Sequence, residues 1–488
     1  MTSEPALFHR LVTAPSKRAP AVLPQRRKIV LISASSLRDD HLGGRGDGVP
    51  VTPFLDSMIE RGTRFRRAVT PVPVTSPALA SLLTGSYPHS TRVRGSFDTM
   101  SREVIPIAER MRRLGYRTIA VVSGDELEPR RGLLRGFDIY DFAGNERDAA
   151  DTTAAALASA AGTHPDEPVF LWVHYADPGM PYAPPLDLAR RFDPGYAGRY
   201  RDRFGGDQDI RGWHIFPSDL SAVDAVYRND LPHEVNAHIR RLYAADVRHT
   251  DDGIRSLVSG LEQHHGKQWL VVFTAAHGES LGEHGHHYEH GDYVYGPTVH
   301  VPLAIIPTKD DPLAGGRFID DWVSLVDVVP TLTELAGLDA FDDAGADAQV
   351  EGRSLVPFLE GVSMKSTPVF VESGDSLYPA GVERRVTFDT RGRFRSVILD
   401  RWKLIWTPGM PVFRAFELYE VGRSLGDEVN VAASHPEVIE RLGATLAAWM
   451  SEAPDTEQGP HHVPGPFERS RRPVEGSAAS PQPVATDG

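Results

Sequence analysis

Four runs of almost unbroken apolar residues, KIVLIS (28–33), YRTIAVVS (116–123), PVFLWVHY (168–175) and WLVVFTAA (269–276), constrain the fold more than anything else in the 488-residue chain. A strand with one wet face alternates apolar and polar residues, whereas runs without alternation belong to strands buried on both faces, as in a parallel sheet covered by helices. Helical patterns lie between them: TPFLDSMIERG, stopped by Gly62, then VIPIAERMRRLG before Tyr116, and HIRRLYAADVRHTDDGIRSLVSGLEQ. This order predicts a doubly wound α/β core, in which ligands sit outside the carboxyl ends of the strands.

Towards the C-terminus the pattern changes to RFRSVILDRWKLIW (393–406), FELYEV (416–421) and a helix from about Pro436 to Met450. Strand, turn, strand and one helix predict a small antiparallel appendage. Single cores stop growing near ~250–300 residues, so a large and a small unit are expected. The chain divides into a flexible segment 1–26, a main α/β domain 27–364, a small C-terminal α+β subdomain 365–455 and a disordered tail 456–488 rich in Pro, Ser and Gly.

A formal charge of −14 and a pI of about 5.8 give no global basic field, which argues against nucleic acid or an anionic membrane as partner. With no cysteine, disulfides, thiolate metal sites and cysteine nucleophiles are excluded. The N-terminal stretch lacks an unbroken apolar region, and no run reaches the ~18 apolar residues of a membrane span, so the expected location is the cytoplasm.

From Lys28 to about Trp449 the ordered segments resemble the sulfatases of the alkaline phosphatase superfamily. VLISASSLRDDHLGG followed by TPFLDSMIERGTRFRRAV is similar to the family's first strand, metal loop and helix, and SPALASLLTGSYPHS to the segment after the nucleophile. VFLWVHYADPGMPYAPP, VVFTAAHGESLGEHG, VHVPLAIIP, VSLVDVVPTLTELAGL, EGRSLVPFLEG, RWKLIW and FELYE continue in the family's order. The resemblance implies an alkaline-phosphatase-like, mostly parallel sheet with helices on both faces, and a small C-terminal antiparallel sheet.

It also implies a site, and there this chain departs from the pattern. The family's metal aspartates, two after the first strand and one in an Asp-His-Gly or Asp-Asn-Gly turn, correspond to Ser35, Ser36 and Ala276, with His277 retained beside the last. The nucleophile motif, Cys or Ser, any residue, Pro, any residue, Arg, reads Thr75, Ser76, Pro77, Ala78, Leu79. A secondary alcohol oxidises to a ketone and not to the formylglycine aldehyde. Leu79, in place of the motif Arg, can neither donate a hydrogen bond nor offset an oxyanion. Gly179, in DPGMPY, stands where many members carry a histidine, and His290 takes the place of a sulfate-contacting basic residue.

Because a hard cation draws on carboxylates, the inherited metal site is expected to hold none. The expected function is that of a sulfatase-like protein inactive as a sulfatase, acting through a small anionic ligand or a protein partner. The candidate partner surface is the aromatic and Arg-rich stretch 186–234. The alternative is a metal-dependent sulfate or phosphate ester hydrolase with a rebuilt site using Thr75 as nucleophile. Calcium, magnesium, manganese or zinc would be held by replacement ligands from HGESLGEHGHHYEHGD (277–292) or by Asp39 and Asp40 shifted by four residues. The register of DHLG opposes that shift. The blander reading of Thr75 is a helix-capping hydroxyl ahead of Pro77.

Overall fold

The computed structural model describes residues 27–452 apart from 47, 146, 199, 206–231, 312, 314, 338–349, 375–392, 408–414 and 423–424. The segments expected to be disordered, 1–26 and 456–488, lie outside the described residues.

The apolar runs form strands β1 (Lys28–Ala34), β3 (Arg117–Ser123), β5 (Val169–Tyr175) and β6 (Trp269–Ala275). Added to these are β2 (Thr63–Val69), β4 (Ile139–Ala143), β7 (His300–Ile306) and β8 (Arg317–Ile319). They build a nine-stranded sheet in the order β8-β2-β7-β6-β1-β5-β3-β4, with the short strand Val323–Ser324 also on β2. Every pairing is parallel except those of β7, which runs antiparallel to both β6 and β2. β1 lies at the centre, its residues paired in register with β5 on one side and β6 on the other, and each of its side chains is buried.

Helices cover the sheet: α1 (Pro53–Ile59), α2 (Thr75–Thr84), α3 (Ile107–Arg113), α4 (Ala149–Ala161), α5 (Leu186–Phe192), α6 (His233–His265) and α7 (Val328–Leu335). α2 is buried at all of its residues. None of the helices described is long and apolar enough to cross a membrane.

The appendage is a four-stranded antiparallel sheet, β9 (Val369–Glu372), β10 (Arg395–Leu399), β11 (Trp402–Trp406) and β12 (Phe416–Glu420), in sequential order, with α8 (Pro436–Glu452) laid on it. Trp402, Leu404, Leu418, Leu442, Leu446 and Trp449 form the core of that layer.

Candidate functional site

The carboxyl ends of β1, β5 and β6 and the first turn of α2 converge on one point. Ser35 and Ser36 follow β1, and His277 follows β6. The backbone clamps these ends together, Ala276 N–H donating to Ala34 O (2.8 Å) and His277 N–H to Ser35 O (3.1 Å). Thr75 opens α2 directly above.

The Thr75 hydroxyl lies 2.9 Å from His277 Nε2 and 3.2 Å from Ser35 Oγ. His277 Nδ1 is 2.8 Å from Gly278 O, a group that only accepts, so Nδ1 carries the proton and Nε2 is free to accept. This fixes the direction of the chain: Ser35 O–H donates to Thr75 Oγ1, and Thr75 O–H donates to His277 Nε2. The capping reading of Thr75 is corrected here. Val74 is the residue before the helix, α2 has no side-chain cap, and the Thr75 hydroxyl is spent on tertiary partners.

A second pair stands beside the first. The His290 ring stacks on that of His277 with centroids 4.0 Å apart, and His290 Nδ1 lies 3.3 Å from Glu279 Oε1. Glu279 is fully buried. The His290 side chain is 29 % exposed, which places it at the opening. The two imidazoles are driven apart in basicity. Burial pushes His277 well below the usual histidine range, helped by the neighbouring His290 and His174. His290 sits above that range, because Glu279, Glu126 and Glu289 outweigh its desolvation.

Glu126, in the turn Asp125–Leu127 after β3, reaches the same place. Desolvation raises its carboxyl and Asp125 adds to this, opposed by its own backbone N–H, by the Thr75 hydroxyl, whose single proton it shares with His277 Nε2, and by His290. The sequence reading missed this residue, whose signal is a carboxylate one turn beyond the carboxyl end of a buried strand. Glu279 entered that reading only as one acid among many in a His-rich stretch.

The other expected positions fall as follows. Leu79 is fully buried in the main apolar core. Gly179 packs against Ser35: a Cβ there would lie 3.6 Å from Ser35 Oγ and 2.6 Å from Ala176 O. Asp39 and Asp40 are no displaced metal pair. Asp39 binds Arg64 (2.9 Å), and Asp40 binds Arg38 (2.6 Å) and His41 (2.9 Å).

The donors present do not fit a divalent cation. Ser35 and both His277 nitrogens bond within the protein, Ala276 offers a methyl, and no carboxylate occupies the three mapped positions. Ser36 Oγ, buried and unpartnered among the described residues, is a single neutral donor. In the His-rich stretch His286 pairs with Glu289 (3.1 Å) and His284 stacks on Tyr295 (3.9 Å). Among the described residues no group of three or more His, Asp or Glu is placed to hold a metal.

In the candidate partner surface, 206–231 lie outside the described residues. In its described part Leu188, Phe192 and Phe204 are buried and Tyr196 stacks on His238 at 3.5 Å, while Arg190, Arg191, Arg201 and Arg203 are exposed.

The sulfatase family profile matches residues 27–338. Among curated proteins the chain is 24% identical to iduronate 2-sulfatase of Mus musculus, over 64% of this chain and 68% of that one. It is 24% identical to human arylsulfatase K, over 88% and 84%, and 26% identical to choline-sulfatase of Rhizobium meliloti (strain 1021), over 66% and 69%. Among solved structures it is similar to the phosphonate monoester hydrolase of Agrobacterium radiobacter, with TM-score 0.67, 18% identity and coverage of 88% and 96%. It is equally similar to a protein in complex with its substrate D-glucosamine-2-N,6-O-disulfate, with TM-score 0.68, 18% identity and coverage of 89% and 99%.

Proposed function

The chain belongs to the sulfatase family, and we propose that within it this protein no longer cleaves sulfate esters and acts by binding a ligand or a protein partner. One observation carries this reading: Ser35, Thr75 and His277, where the resemblance puts a metal ligand, the nucleophile and a retained histidine, are hydrogen-bonded to one another. A sulfate ester leaves as an anion from an already anionic group, and its cleavage needs fixed positive charge. Three neutral side chains and Leu79 supply none, and the charge of the raised His290 is offset by Glu279.

The test is to dialyse the protein against calcium, magnesium, manganese and zinc in turn, then measure bound metal by elemental analysis and turnover of 4-nitrophenyl sulfate. The expected outcome is no stoichiometric ion and no sulfate release. About one ion per chain, with sulfate release abolished by Thr75→Val, would overturn the reading.

A second reading has its own support. The 2.9 Å contact between the Thr75 hydroxyl and an imidazole nitrogen free to accept is the geometry of a nucleophile with its general base. On this reading the hydrolase site is rebuilt around Thr75.

A further inference from the structure

Two imidazoles with opposite assignments stand beside one hydroxyl. His277 accepts from Thr75, and its tautomer is held by Gly278 O. His290 is held at Nδ1 by the buried Glu279, which leaves Nε2 as its remaining donor at the opening. A base and an acid whose environments separate them, placed around a nucleophile, make an acid–base constellation that needs no metal.

The surrounding charge selects the substrate. Ser35, Ser36, Ala276 and Leu79 bring no positive charge, Glu279 offsets His290, and Glu126 adds a carboxyl. A charged sulfate or phosphate ester meets no compensation there, whereas an uncharged carbonyl asks only for hydrogen-bond donors while its oxyanion forms. We propose that this site opens uncharged carboxylic esters through Thr75 without a metal ion. The proposal rests on the second reading, in which Thr75 is a nucleophile, and is independent of the loss of sulfate cleavage.

As Thr75 Oγ1 bonds to the ester carbonyl carbon, its proton passes to His277 Nε2 and the carbonyl π pair moves onto oxygen. The first N–H groups of α2, those of Thr75 and Ser76, have no partner within the helix, while Pro77 has none to offer and Ala78 N–H is taken by Val74 O (2.9 Å). Collapse breaks the bond to the leaving oxygen, which takes a proton from His290. Water then attacks the acyl-threonine, giving a proton to His290, and Thr75 departs with the proton held by His277. The sum is ester plus water to acid plus alcohol, with both imidazoles restored.

The groups facing the pair set the pH window. Burial, His290 and His174 push His277 down, while Glu279, Glu126 and Glu289 raise His290 against its own desolvation. The rate should therefore rise as His277 loses its proton and fall as His290 loses its own.

The full chain, treated with EDTA, is assayed with 4-nitrophenyl acetate, and the protein is quenched in acid for peptide mass spectrometry. The expected result is cleavage that survives chelation and leaves acetyl on the peptide carrying Thr75. It falls on the order of 100-fold in Thr75→Val and His277→Ala and rises several-fold in Thr75→Ser, whose primary hydroxyl is less crowded. Thr75→Ser also keeps the test decisive if Thr75→Val fails to fold. Cleavage unchanged in Thr75→Val, acetyl found only elsewhere, or a rate no better than free imidazole would each overturn the proposal. Metal-dependent release of sulfate from 4-nitrophenyl sulfate would overturn the loss of sulfate cleavage and leave the ester result standing or falling on its own.

Discussion

Gly179 shows how closely the site has been refitted around its substitutions. Its Cα faces Ser35, and an added Cβ would come within 2.6 Å of Ala176 O, a backbone atom that cannot swing away. The Ser35 hydroxyl, in turn, is the first donor of the chain that ends on His277. Restoring a histidine at this position is therefore expected to cost stability and not to regain function. Gly179→His should lower unfolding free energy by about 1–3 kcal/mol through forced backbone displacement, read as a lower denaturation midpoint, with no gain of 4-nitrophenyl sulfate turnover. A variant of unchanged midpoint would show that the turn yields freely and that Gly179 does not hold Ser35 in place.

Between elements, the appendage is tied to the loop that carries His290. Asp427 accepts from Gly296 N–H (2.7 Å) and pairs with Lys403, both side chains of that pair being fully buried. Burial pulls the Lys403 ammonium down and Asp427 opposes that pull. Gly296 approaches so closely that a Cβ would lie 1.4 Å from Leu425 O. Removing one partner strands a buried charge, so Lys403→Met should cost about 3–5 kcal/mol, seen by calorimetry as an earlier transition of the appendage. A loss below about 1 kcal/mol would mean that water reaches Asp427 once the lysine is gone. The same scale shows what sequence makes legible. The four central strands announce themselves because both their faces are apolar. β2 does not, because Arg64, Arg66 and Arg67 interrupt TRFRRAV; they are accommodated by Asp39, Asp320 and the Trp322 ring, partners invisible along the chain. β7 carries Pro302, a strand breaker by rule, tolerated where its pairing with β2 shifts register between Val301 and Leu303. In the site, the substituted positions were readable from motif order. The pairings were not: that Thr75 meets His277, or that Glu279 holds His290, depends on three strand ends and a helix turn meeting in space.

Across the whole molecule, stability should carry a signature of carboxyls whose burial outweighs the groups that favour their ionised form. Asp251 of α6 accepts from Phe54 N–H (3.0 Å) and Leu55 N–H (2.8 Å), joining that helix to the start of α1. Asp327 accepts from Ser324 N–H (2.9 Å) and Arg353 N–H (2.8 Å), closing the turn ahead of α7. Burial pushes both up to about 6 from an ordinary 3.8, against the backbone donors that favour the ionised form. A carboxyl raised on folding binds more protons in the folded than in the unfolded state between those two values, so its contribution is complete below about pH 4 and is lost as pH rises through about 6. At 1.36 kcal/mol per pKa unit, each is worth roughly 3 kcal/mol over that window. Asp327→Asn removes the titration and leaves one of the two N–H groups without its acceptor. It should therefore lower the midpoint at every pH between 4 and 7, by more at pH 4 than at pH 7, because only the parent loses the Asp327 contribution as pH rises. Chemical denaturation of parent and variant at half-unit steps measures the difference directly. A difference constant across the window would show that Asp327 ionises in the folded protein as it does in the unfolded chain, and that the two N–H donors fully offset its burial.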